Sequence, residues 1–298
     1  MGLENLPGEP RSGETEASVG SRRSRVLGGT LRQEGAKGVT LALVSTGVVV
    51  ALILWAVLHS ENWPTVRHAF FSGSEFAHAF PQVARKFGRN VEFFLICEVF
   101  ILAYALLLAV LRSLPGPVFF PLRALAVGYV DLFRGIPTIL VLYILAFGVP
   151  GLGLKGVPSS PTFWALVGLI LSYSAYVSEV YRAGIESVHP SQVASARSLG
   201  LTRVQTLRFV VIPQAVRRVI PPLLNDFVAL QKDTALIAFV IPTAEAFKQA
   251  QILQSADFNF TPLVGATLLF IAITIPTTRF VDWLTARDRA RRQAGAAL

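Results

Sequence analysis

Residues 39–58 form a run of twenty positions without a single charged side chain, and this run limits what the chain can fold into. As a helix rising ~1.5 Å per residue it covers the ~30 Å of a bilayer's hydrocarbon. An isolated strand or an irregular loop could not, because unpaired backbone groups find no partner in lipid. Further apolar runs follow at 93–111, with Glu98 inside, and at 163–180, 223–241 and 262–280. Another is interrupted: 124–130 is apolar, "DLFRGIP" intervenes, and 138–149 resumes. Neither half is long enough alone, so the pattern predicts one tilted or kinked span. Six spans make an all-α integral membrane protein. Composition agrees: 53% of the 298 residues are hydrophobic and 15% charged, too apolar for a soluble domain of this size.

The net charge of +9 could suggest nucleic acid. Here the basic residues flank apolar runs, where they orient helices in a bilayer, and no nucleic-acid partner is expected. Residues 1–37 carry Arg11, Arg22, Arg23, Arg25, Arg32 and Lys37. The stretch after the fourth span carries Arg182, Arg197, Arg203, Arg208, Arg217 and Arg218, and five more basic residues follow from Arg279 onward. By contrast, 150–162 holds only Lys155 and 242–261 only Lys248, although 59–90 dissents with Arg67, Arg85, Lys86 and Arg89. The balance predicts a multi-pass plasma (inner) membrane protein with both termini and the central basic loop in the cytoplasm. Residues 1–37, rich in Gly, Ser, Glu and Arg, read as a disordered cytoplasmic tail. The late, long first apolar run reads as an uncleaved helix rather than a secretory signal. Cys97 stands alone within an apolar run, and the four histidines lack ligand spacing, so no metal site and no bound cofactor is expected.

"SARSLGLTRVQTLRFVVIPQA", residues 195–215, interrupts the oil with three arginines and no acid. Pro190 suits a helix start. Val193, Ala196 and Leu199 recur every third position as one apolar face, and Gly200 supplies a left-handed stop. Thr202 followed by Gln205 is a capping-box pattern opening a second helix, with Val204, Leu207 and Val211 as its stripe and Pro213 as its end. By physical pattern alone the hairpin could lie on headgroups with its arginines toward phosphate, and a helix–turn–helix reader of DNA is disfavoured because both ends are tethered to spans.

The spacing of Ala194-Ser195-Ala196, Gly200 and Val210-x-Ile212-Pro213 resembles the cytoplasmic signature of ABC-importer permeases, with Ala194 where that signature has Glu. "YVDLFRGIPTILVLYILAFGVP", "SYSAYVSEVYRAGIESV" and "PPLLNDFVALQKDTAL" are similar to stretches of the polar amino acid permease subfamily, from about residue 88 onward. The departures are Val141, Ser191 and Gln231. The resemblance implies a six-helix type I ABC importer transmembrane subunit, a five-helix core plus an N-terminal helix. It implies four regions: a tail (1–37), an added first helix with an extracytoplasmic loop (38–90), a permease core (91–282) with a coupling loop (182–221), and a basic cytoplasmic C-terminus (283–298).

The resemblance further implies a non-catalytic subunit passing a polar amino acid of the glutamate, glutamine or basic class. Expected partners are a cytosolic ABC ATPase dimer, a second permease subunit (identical or homologous), an extracytoplasmic amino-acid-binding protein and membrane lipid. ATP would be bound by the ATPase partner, and this sequence has no G-x-x-x-x-G-K-[ST] loop. Coupling to the ATPase would fall to Ser191, Val193, Ala194, Ser195, Ala196, Arg197, Leu199, Gly200 and Pro213. Candidate pathway residues are Glu98, Tyr176, Glu179, Lys232, Asp233 and Thr234, since a mid-span charge usually faces a cavity or a partner. Glu98 could line the pore or meet another subunit. Glu179 with Arg182, and Asp131 with Arg134, read as ion pairs at i,i+3. Competing readings are a secondary transporter or channel without an ATPase. The first would show internal repeats, and none is convincing. An intramembrane protease lacks a histidine in any span.

Overall fold

The computed structural model describes residues 38–241 and 245–296, and side chains only as far as Arg287 in the last helix. The expected disordered tail, 1–37, lies outside the described residues. The chain divides into two compact units, Met1–Val66 and Arg67–Leu298. The first contains α1, Gly38–Leu58, which is the run of uncharged residues.

The second unit is helical throughout, with no strand among the described residues. Its order is α2 (Trp63–Phe70, which begins in the first unit), α3 (Gly73–Ser113), α4 (Phe120–Gly135), α5 (Thr138–Tyr143), α6 (Val149–Gly151), α7 (Pro161–Glu186), α8 (Pro190–Ser198), α9 (Arg203–Thr206), α10 (Ile212–Asp233), α11 (Ala246–Asp257) and α12 (Thr261–Ala296). Among the described residues, four helices, α1 of the first unit included, are long and apolar enough to cross a membrane, or five when the bent pair Phe120–Gly135 and Thr138–Gly151 counts as one span.

Three expectations change here. Residues 59–90 are not a loop: α2 and the first half of α3 occupy them, and Ser72 caps α3 by accepting the Glu75 N–H at 3.5 Å. The interrupted span is broken rather than kinked, its arms bent by 104°. Pro137 is the cause, because proline forces Ile136 out of the helical region, to φ −98° and ψ 131°. The span expected over 223–241 is α-helical only to Asp233 and then tightens into a 3₁₀ turn, Thr234–Phe239. Arg217, Arg218, Asp226, Lys232 and Asp233 make α10 too polar to qualify as a span by composition, although it packs against α7 and α12.

α7 is the axis. Ten of its residues are buried, among them Ala165, Gly168, Ser172, Ser174, Ala175, Ser178 and Gly184. Apolar surfaces gain little by meeting in lipid, so close approach at small residues holds such a bundle together. The main core runs along this helix, joining Cys97, Ile101 and Ala105 of α3 to Leu142, Leu169, Leu230 and Ile237. A second cluster joins Leu108 of α3, Ala126 and Val130 of α4, and Ala175. A third, away from α7, sets Val83 and Phe87 of α3 against Ala246 and Ala250 of α11 and Ala266 of α12.

Two π-helical segments, Ile144–Gly148 and Leu207–Val211, each precede a proline, Pro150 and Pro213. The wider turn absorbs the missing N–H and the ring's clash with the preceding turn. Pro213 therefore does not end the second helix of the central loop. The Ile212 N–H reaches back to the Leu207 carbonyl and the chain continues into α10.

A Cβ on Gly184 would stand 2.0 Å from Cγ2 of Val219 on α10. Val219 is β-branched and stiff at χ1, so it cannot step aside. Gly184→Ala is expected to destabilise the protein by about 1–3 kcal/mol. Val219→Ala in the same chain should restore most of that loss, as read by thermal unfolding in detergent.

Candidate functional site

The central loop folds into a rigid corner. Pro190 opens α8, and the His189 ring accepts the Ser191 N–H at 3.2 Å. At the other end Gly200 takes φ +86°, the Gly200 N–H meets the Arg197 carbonyl at 3.0 Å, and the Leu201 N–H meets Ala196 at 3.2 Å. These two bonds close a Schellman stop, which satisfies orphan carbonyls and needs a residue without a Cβ penalty. Thr202 and Gln205 then cap α9 reciprocally: Thr202 N–H donates to Oε1 of Gln205 at 2.8 Å, and Gln205 N–H to Oγ1 of Thr202 at 3.2 Å. The corner is tied to its neighbours by Gln214 donating to Gln192 and by Arg218 donating to the Ser187 carbonyl.

The faces differ from the expected ones. Ala196 and Val211 are buried and Val193 is half-buried, but Leu199 is 81% exposed, Val204 74% and Phe209 64%. Leu199 therefore leaves the packed face on which its spacing placed it: as the C-cap of α8 it stands where the helix has already ended. Of the second helix's stripe, Val204 and Leu207 also face outward, interleaved with the exposed Arg203 and Arg208, while Val211 turns inward. Ser191, Ala194, Ser195, Arg197 and Gly200 are exposed, and Pro213 lies on the surface at the start of α10.

Beyond α8, a charge cluster joins three helices. Glu179 receives Arg112 of α3 at 2.6 Å, Arg182 at 2.7 Å and Arg134 of α4 at 3.6 Å, and Arg182 reaches Glu186 at 2.6 Å. The expected Glu179–Arg182 pair is present. The expected Asp131–Arg134 pair is not: Asp131 is exposed, and Arg134 turns to Glu179 and stacks over the Tyr176 ring at 6.0 Å. A carboxylate already gathering two guanidiniums is a deeper well than an exposed neighbour in water. Tyr176 and Glu179 thus belong to one site.

The other pathway candidates separate. The Tyr173 hydroxyl donates to Oδ2 of Asp233 at 2.7 Å, whereas Lys232 lines a cavity of about 310 Å³ with Phe247, Phe270 and Thr274. Glu98, half-buried, lies within electrostatic reach of Asp226 on α10. Thr234 is buried in a network that sequence reasoning missed. Nδ2 of Asn90 on α3 donates to Oγ1 of Thr234 at 3.2 Å and to Oε2 of Glu245 at 2.8 Å. Glu245 also accepts the N–H groups of Phe247 and Lys248, at 3.0 and 2.6 Å, and so caps α11. Burial pushes the Glu245 carboxyl above the usual carboxylate range, against the opposing pull of those donors. The signal available in sequence was a glutamate just before a helix; its partner stands 155 residues away.

Residues 106–289 match the family described as the binding-protein-dependent transport system inner membrane component. A probable glutamine ABC transporter permease protein, GlnP of Bacillus subtilis, is 37% identical over 57% of this chain and 77% of its own length. A probable amino-acid ABC transporter permease protein, PatM of Vibrio harveyi, is 32% identical over 70% of this chain and 92% of its own. A glutamate/aspartate import permease protein, GltK of Escherichia coli O157:H7, is 31% identical over 57% and 78%. A crystal structure of an amino acid ABC transporter with histidines superposes with a TM-score of 0.63 at 28% identity, over 70% of this chain and 94% of that one.

In the charge cluster, Arg112 and Glu179 have side chains only 11% and 18% exposed. Glu179→Leu strands the buried arginine and is expected to cost on the order of 3 kcal/mol, and the Arg112→Leu/Glu179→Leu pair less than the sum of the singles. A double-mutant cycle on thermal unfolding reads both.

Proposed function

Because the chain belongs to the family of binding-protein-dependent transport system inner membrane components, we propose that it is the permease subunit of an ATP-driven importer of polar amino acids. It is a non-catalytic, multi-pass membrane protein. The glutamine and glutamate candidates follow the names carried by its relatives, and the basic amino acids follow only the resemblance of its sequence to the polar amino acid permease subfamily. In this reading the termini and the corner face the cytoplasm, a cytosolic ATPase dimer binds and hydrolyses ATP, and a second permease completes the pathway. An extracytoplasmic binding protein delivers the substrate.

One observation carries the coupling role. The corner exposes Leu199, Val204 and Phe209 beside arginines, yet its backbone is fixed by the Schellman stop and the capping box. An exposed apolar patch on a stiff mount suits a protein groove. Displacement of α8 passes through the Arg218–Ser187 and Gln214–Gln192 bonds into α7 and α10. Ser191, Val193, Ala194, Ser195, Ala196, Arg197, Leu199, Gly200 and Pro213 form this mount. Glu98, Tyr176, Glu179, Lys232, Asp233 and Thr234 remain the pathway candidates, with Glu179 and Thr234 acting mainly by fixing helices.

Gly200→Asp should abolish ATP-dependent uptake of labelled amino acids in a deletion strain while the protein still inserts at wild-type level; normal uptake would refute the coupling role. Neutralising Asp233 as Asp233→Asn should lower uptake more than membrane abundance, measured by transport assay beside quantitative immunoblot. Equal losses would assign it to folding.

A further inference from the structure

Lys232 stands at a cavity of about 310 Å³ walled by the end of α10, by the 3₁₀ turn that follows it, and by α11 and α12. That volume lies at the small end of the ~300–1,000 Å³ of small-molecule sites, and the wall is mostly apolar, with Phe247 and Phe270 in it. The part of α12 that lines it, 266–275, is the middle of the apolar run 262–280, so the lysine sits at mid-span depth. A charge at that depth faces a partner or a water-filled pathway rather than lipid. Among the described residues the ammonium of Lys232, an exposed residue, has neither an ion pair nor a hydrogen bond. Within four positions of the lining residues, the other charged groups are Asp233, Glu245, Lys248 and Arg279. Both acids are engaged elsewhere: Asp233 accepts from the Tyr173 hydroxyl, and Glu245 from Asn90 and from the N–H groups that it caps. Two threonines of α12 also line the cavity. Thr267 donates its hydroxyl proton to the Leu263 carbonyl and Thr274 to Oε1 of Gln231, both at 2.9 Å, so each oxygen keeps lone pairs that can accept.

On the reading of the chain as an amino-acid permease, we propose that this cavity holds the zwitterionic end of the transported amino acid, its carboxylate on Lys232 and its ammonium on the oxygens of Thr267 and Thr274. An inorganic anion would satisfy the lysine but leave both acceptors without a donor. A carboxylate side chain from a second permease would do the same. A simple amine would use the hydroxyls but stand against the lysine charge. Only a ligand that carries a carboxylate and an ammonium close together uses all three groups. Those atoms are common to every α-amino acid, so Lys232, Thr267 and Thr274 select the class of substrate and leave the choice of side chain to other contacts.

Isothermal titration calorimetry on the assembled transporter in nanodiscs tests this, with L-glutamine, L-glutamate, L-arginine and the α-carboxamide of each as probes. At least one of the three amino acids should bind on the order of tenfold more tightly than its α-carboxamide, which keeps the ammonium but not the negative charge. Lys232→Met should weaken that amino acid on the order of tenfold and leave the α-carboxamide unchanged, whereas Lys232→Arg should retain most of the difference. Thr267→Val/Thr274→Val should weaken both ligands alike. An amino acid bound equally well by the wild type and Lys232→Met would overturn the site. Equal losses of both ligands in Lys232→Met, or a loss as large in Lys232→Arg, would overturn it too and assign the lysine to folding or to the second permease. Binding of none of the three amino acids by the wild type would overturn the amino-acid reading together with the site.

Discussion

The structure depends on how closely α7 lets other helices approach. In hydrocarbon there is no water to expel, so a bundle gains from backbone proximity and from the polar contacts that proximity permits. Gly168 and Gly184 admit Leu142 and Val219, and the buried serines and alanines of α7 fill the rest of the seam. Arg112 and Arg134 then bring α3 and α4 onto Glu179 at one end of that helix. Remove the small residues and these charges would have no common meeting point.

That packing gives the corner its mechanical meaning. α8 is only nine residues long and would be marginal alone. Caps at both ends, a left-handed glycine and two side-chain ties make it an extension of α7 and α10 rather than a loose loop. The π turn before Pro213 belongs to the same construction: it lets the chain continue into α10 across a residue that would otherwise break the helix. A push on α8 therefore reaches the bundle with little slack.

Much of this was legible in the sequence. Apolar runs located α1, α7, α12 and the apolar half of α3, because lipid leaves the backbone few options, but not the end of the run at 223–241; the Gly200 stop and the Thr202–Gln205 box were readable because both are local. What was not legible depends on distant partners or on competition between them. Arg134 has Asp131 at helical spacing but Glu179 in space. Asn90 sits in an unremarkable polar stretch until α11 brings Glu245 to it. The outward turn of Leu199 and the 104° break after α4 follow from angles that spacing alone does not encode. The basic, mixed stretch 59–90 hid two helices because its apolar positions are spread thinly.

Whether the exposed corner seats on a protein in the assembled transporter is read by a photo-activated cross-linker placed at Leu199 in the intact complex. A seated corner gives an adduct with the ATPase subunit at high yield; adducts with lipid alone would show that it lies on the membrane instead.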